Sequence, residues 1–143
     1  MKAIQVLSDE KFLKLQKQLY SDITITPDNV NEKIIELPKI YAKYQNLYVG
    51  QRRILKNINI SIQQTKKRLY HKYKFQSDFS LDNATERMLY VEGDDEMCDL
   101  YMLKDKQDVI VDYLKENLVE ISKMSYLIRS YVDLEKMRNG VMV

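Results

Sequence analysis

The chain has 143 residues, of which 31% are charged, with only three glycines, two prolines and one cysteine. That length makes one domain, or a small domain with a tail. So little glycine and proline excludes a fold built from sheets and tight turns and points to an all-α protein.

Residues 8–20 read as a short first helix. Ser8 caps it, and Asp9 and Glu10 sit at its positive end. Phe12, Leu15 and Leu19 share one side, and the lysines wet the other. Ile23-Thr24-Ile25 is a short extended linker, because β-branched residues and the position before Pro27 disfavour helix. Thr26 and Pro27 then read as N-cap and first residue of a long helix running to about Phe75. Along it Val30, Ile34, Leu37, Tyr41, Tyr44, Tyr48, Gln51, Leu55, Ile58, Ile62, Thr65 and Leu69 alternate four and three apart, the seam of helices packed lengthwise. Pro38 and Gly50 are its weak points.

Gln76 to Ser80 breaks that helix. Asp82 to Tyr90 makes one or two further helical turns, capped by Ser80 or Asp82, and Gly93 is a turn. Asp94-Asp95-Glu96 opens a last helix that reaches about Arg138 and stops at Asn139-Gly140. About forty-five residues at 1.5 Å each make a rod about 65 Å long. Ile110, Leu114, Ile121 and Ile128 form its spine, widened by Val111, Leu118 and Val132 on one side and by Leu103, Met124 and Tyr131 on the other. A face that wide exceeds a two-stranded seam, so these ten residues are the expected oligomerisation surface. The expected architecture is a short helix plus two long ones, hairpin-like or coiled-coil-like, assembled as a ring or bundle. A basic N-terminal region, 1–93, precedes an assembly helix, 94–143.

Charge is segregated along this chain. Residues 37–77 carry ten cations and no acid, whereas residues 78–121 carry thirteen acids against four cations. The end of the basic stretch, Lys66-Lys67-Arg68-Leu69-Tyr70-His71-Lys72-Tyr73-Lys74-Phe75, interleaves cations with rings. Cations release counterions from a polyanion, and rings stack on exposed bases. Arg52, Arg53, Lys56, Lys66, Lys67, Arg68, Lys72 and Lys74, with Tyr70 and Tyr73, are therefore the expected contacts to a nucleic-acid strand. The bland alternative is a solvated helix face balanced by acids of the same protein.

Catalytic parts are missing. His71 is the only histidine, which leaves paired-His metal sites and Ser–His–Asp arrangements short of members. The three glycines are isolated and form no phosphate loop. The acids from Glu92 to Asp99 lack the spacing of a calcium loop. Cys98 stands alone and is read as ordinary helix packing, compatible with a reducing cytoplasm. There is no signal-peptide pattern and no apolar run long enough for a membrane. No cofactor, no metal and no enzyme activity are expected.

The order of elements, the run Thr65-Lys66-Lys67-Arg68-Leu69, the loop with Tyr73, Asp78, Phe79 and Ser80, the Glu86-Arg87-Met88 turn, the Asp94-Asp95 start and the close Leu134-Glu135-Lys136-Met137-Arg138-Asn139-Gly140 resemble the UvsY family, recombination mediators of large tailed phages. The resemblance covers nearly the whole chain. It implies an all-helical homo-oligomeric ring of about six or seven subunits in the cytoplasm of a bacterial host. It also implies binding to single-stranded DNA, to the phage single-strand-binding protein and to the phage recombinase, which such proteins load onto covered strand without catalysis of their own. The family's basic run, of the form Leu-Lys-Ala-Arg-Leu, falls on Thr65–Leu69, which assigns its DNA-contacting Lys and Arg to Lys66 and Arg68; Thr65 and Lys67 depart from it. Its assembly helix falls on about Asp94 to Arg138. Two rival readings are a structural coiled-coil phage protein that does not bind DNA and a small regulator that binds one protein through the acidic segment.

Overall fold

The computed structural model describes residues 4–75 and 83–140. It contains four helices in that range: α1 (Asp9–Ile23), α2 (Val30–Phe75), α3 (Ala84–Glu92) and α4 (Asp95–Arg138). The all-α reading holds. Asp78, Phe79 and Ser80, and the caps expected at Ser80 and Asp82, lie outside the described residues.

Local chemistry explains most of the boundaries. The Ser8 side chain accepts from the Lys11 amide and opens α1 as expected. The long helix starts three residues later than the Thr26-Pro27 signal places it. Asn29 takes over: its side-chain oxygen accepts from the Thr26 amide at 2.7 Å and its carbonyl accepts from the Lys33 amide at 3.0 Å. Residues 27–29 are spent on that turn. α2 runs on through Pro38 and Gly50. α3 is capped by Asn83, whose side chain accepts from the Thr85 and Glu86 amides. Gly93 makes the turn into α4, which ends at Gly140 with a φ of 72° that favours glycine.

Contacts group the chain into two compact units, each drawing on both long helices. The sequence break at Gly93 coincides with the α3–α4 turn, not with the line between these units. One unit takes Gln51–Val111 together with the start of the chain through Val6. Its apolar cluster is Ile58, Ile62 and Leu69 of α2, Val91 of α3 and Met97 of α4, with Ile4, Val6, Leu100 and Leu103 packed around it. Gln107 of α4 is buried there and donates to both the backbone and side-chain oxygens of Gln51, each at 2.8 Å. That bond accounts for one of the two polar members of the α2 seam.

The other unit takes Leu7–Gly50 and Asp112–Val143. Leu19, Ile40, Tyr44, Leu114, Leu118, Ile121, Met124 and Ile128 are its buried core, and Phe12 meets Tyr113 edge to face at 5.4 Å. Of the seam positions along α2, only Ile34 is well exposed.

This core revises the role expected for α4's wide apolar face. Ile110, Val111, Leu114, Leu118, Ile121, Met124 and Ile128 are buried, and Leu103, Tyr131 and Val132 half-buried, within a single protomer. The face is wide because segments of the same chain cover it. Near the end of α4, Tyr126 (71% exposed), Leu127, Leu134 and Met137 are turned outward. Beside Leu127 an apolar hollow of about 320 Å³ is lined by Ile23, Ile25, Pro27 and Tyr131. Cys98, expected to be packed, lies exposed on α4.

Asp22 pins α1 to α2. Its carboxylate accepts from the hydroxyl of fully buried Tyr44 at 2.6 Å, from Lys43 Nζ at 3.0 Å and from Gln18 at 3.0 Å. Burial pushes the Asp22 carboxyl up, but these hydrogen bonds together outweigh it and hold the group below its ordinary 3.8. The folded state then binds fewer protons than the unfolded one, so the contribution is complete above pH 3.8 and disappears as pH falls through the lowered value. Asp22→Asn should cost about 1–3 kcal/mol at pH 7, and urea unfolding of parent and variant should converge at an acid pH well below 3.8. An equal gap at both pH values contradicts this role.

Candidate nucleic-acid interface

Burying Ile58, Ile62 and Leu69 fixes how α2 is turned about its axis. Successive residues advance about 100°. The residues opposite the cluster are Arg53, Lys56, Ile60, Gln63, Gln64, Lys67, His71 and Lys74, and all are exposed. This face contains cations, amides, one imidazole and the exposed Ile60, and no acid. Gln64, Lys67, Arg68, His71 and Lys72 line an open hollow of about 620 Å³. At its end the His71 and Phe75 rings lie 4.8 Å apart, with Lys74 Nζ 5.1 Å from the Phe75 ring. Phe75 is 65% exposed.

The other expected contacts lie on the flanks of α2, and three of them, Lys66, Arg68 and Tyr73, are held by acids of the α3–α4 turn. Lys66 and Arg68 are two residues apart, hence about 200° apart around the helix, and they border the buried face on opposite edges. Lys66 Nζ is 2.9 Å from the Glu92 carboxylate, which also accepts from the Tyr101 hydroxyl at 2.5 Å. Arg68 pairs with Glu96. The Tyr73 hydroxyl donates to Asp94 at 2.7 Å, and its ring packs on Tyr90. Tyr70 carries the Arg87 guanidinium over its ring at 4.9 Å and accepts from it at 2.6 Å. Arg52 is exposed on the flank between these groups and the open face.

These bonds set the local electrostatics. The Glu92 bond raises the Lys66 ammonium above its ordinary value, so Lys66 keeps its proton more firmly than a free lysine. The Tyr101 and Lys66 bonds lower Glu92, and the Tyr73 bond lowers Asp94. Tyr73 and Tyr101 are pushed up in turn, chiefly by their hydrogen bonds to these carboxylates.

Of the ten expected strand contacts, Arg53, Lys56, Lys67 and Lys74 thus stand together on the open face. Lys66, Arg68, Tyr70 and Tyr73 are engaged inside the protomer, and Lys72 lies on the acid-facing flank, where its charge helps lower Asp94. The carboxylates that engage them were visible only as an acidic run following a basic one. His71 joins the open face through its ring contact, which the sequence leaves between phosphate contact and simple exposure.

A protein-family model described as "Recombination, repair and ssDNA binding protein UvsY" matches residues 18–141. The chain belongs to the UvsY family. The general role is recombination and repair with binding to single-stranded DNA. The family is described by binding and not by a reaction. No curated protein and no solved structure matches the chain significantly. Among the described residues of this UvsY-family chain, no group of three or more His, Cys, Asp or Glu could hold a metal ion, and no helix is long and apolar enough to cross a membrane.

The Lys66–Glu92 and Arg68–Glu96 pairs are a third to a half exposed. Exposed pairs contribute about 0–1 kcal/mol each. Lys66→Ala/Arg68→Ala should therefore keep its helicity and lose less than about 2 kcal/mol in urea unfolding. Loss of the folded state at pH 7 contradicts an exposed, replaceable pairing.

Proposed function

We propose that this protein is a recombination mediator. It binds single-stranded DNA as a homo-oligomer and helps load a strand-exchange recombinase onto DNA covered by single-strand-binding protein. The observation that carries the reading is the open face of α2, where Arg53, Lys56, Lys67 and Lys74 line up with no acid among them. Phosphates neutralise the cations and release counterions, and the exposed Phe75 offers a ring for base stacking. The glutamines between the cations bond to sugar, phosphate or base edges without demanding a sequence.

One face engages few phosphates, so assembly multiplies it. The exposed Tyr126, Leu127, Leu134 and Met137, with half-buried Tyr131 and Val132, supply an apolar surface for a second copy. Several α2 faces on one ring then bind one strand through effective concentration. The acids of α4 that face solvent offer a surface to a basic partner, for which the recombinase and the coating protein are the family's candidates.

The pairing of Lys66 and Arg68 with acids of their own chain favours the rival, a structural coiled-coil protein that leaves DNA alone. Sedimentation with a labelled thirty-residue oligo-dT separates the two. The parent should sediment as an oligomer and carry the strand. Lys67→Ala/Lys74→Ala should assemble equally and bind at least about tenfold more weakly at low salt, with a salt slope shallower by about 1.4. An oligomer that leaves the strand behind supports the rival, and a lone protomer that ignores the strand contradicts both.

A further inference from the structure

We propose that the α3–α4 turn is a built-in competitor for the DNA site: Glu92 and Glu96 straddle α2 and hold Lys66 and Arg68 until phosphates replace them. The inference rests on the DNA-binding reading above and concerns its regulation.

The geometry carries it. Glu92 is the last residue of α3 and Glu96 lies in the first turn of α4. Each is the direct neighbour of a fully buried residue, Val91 and Met97 respectively, which keeps the backbone of both acids beside α2 while their carboxylates stay half-exposed. The turn is tight, with the Gly93 amide bonded to Leu89 at 3.0 Å and the Asp94 amide to Val91 at 3.2 Å. A Cβ on Gly93 would meet the Leu89 carbonyl at 3.2 Å. Two carboxylates on an anchored turn therefore reach opposite edges of one basic helix, at the two cations that the family motif assigns to DNA.

A carboxylate and a phosphate offer an ammonium or a guanidinium the same oxygen acceptors. Because the pairs are exposed, exchanging one anion for the other costs little. The open face makes first contact, and Lys66 and Arg68 are recruited only as their acids are displaced. The clamp lowers affinity in exchange for easy release.

A double-mutant cycle tests this, using fluorescence anisotropy of the full chain with labelled oligo-dT at low salt. Glu92→Gln/Glu96→Gln should bind about three- to tenfold more tightly than the parent. Asp95→Asn/Asp99→Asn removes the same charge from exposed acids outside these pairs, and should gain less than about twofold. In a Lys66→Ala/Arg68→Ala background the gain from the glutamines should shrink to that control value. If Glu92→Gln disturbs helicity, Glu96→Gln with and without Arg68→Ala completes the cycle alone. A gain no larger than the control, or one that survives without Lys66 and Arg68, overturns the clamp and leaves DNA binding standing. A parent that ignores the strand overturns both.

Discussion

The packing of Ile58, Ile62 and Leu69 of α2 against Val91 and Met97 decides what the basic helix can do. A helix with eleven cations along it has no intrinsic front. Once one stripe is buried, every other residue is assigned a direction. Lys67 and Lys74 face out, Lys66 and Arg68 fall on the edges, and Val91 and Met97 carry Glu92 and Glu96 to those edges. Apolar burial, which is indifferent to charge, thus sorts the cations into an open set and a held set.

The second unit uses the same pattern for another end. Tyr44 on the α2 seam is fully buried yet keeps its hydroxyl satisfied by Asp22, so α1 is tied down by a polar contact inside an apolar setting. Once α1 and the start of α2 cover the spine of α4, what remains exposed near its end is a shorter set of side chains. Tyr126, Leu127, Leu134 and Met137 face outward and are not among the residues that hold the protomer together.

Much of the fold could be read from the chain. Ser8, Gly93 and Gly140 mark their boundaries because each satisfies or frees a backbone group in a way few residues can. The limits were physical. Asn29 displaced the expected Thr26 cap because several polar residues compete at a helix start and tertiary placement chooses among them. Pro38 and Gly50 did not interrupt α2, since flanking packing outweighs a local penalty of a few kcal/mol. The 3.5-residue repeat reveals a buried face but not its partner, and most of α4's wide face is covered within the protomer. The candidate site was half legible. Its cations and rings stand out, but nothing in a linear run tells that Lys66 meets Glu92 or that Tyr70 is covered by Arg87.

The sorting of cations by the buried seam is tested most directly by amine footprinting, in which lysines are acylated under limiting reagent and read by mass spectrometry. Acylation needs an accessible, deprotonated amine, so Lys66, shielded and held protonated by Glu92, should react several-fold more slowly than Lys67 and Lys74 in the free protein. Adding oligo-dT should protect Lys56, Lys67 and Lys74. Equal reactivity of Lys66 and Lys67, with no protection by the strand, would contradict the account.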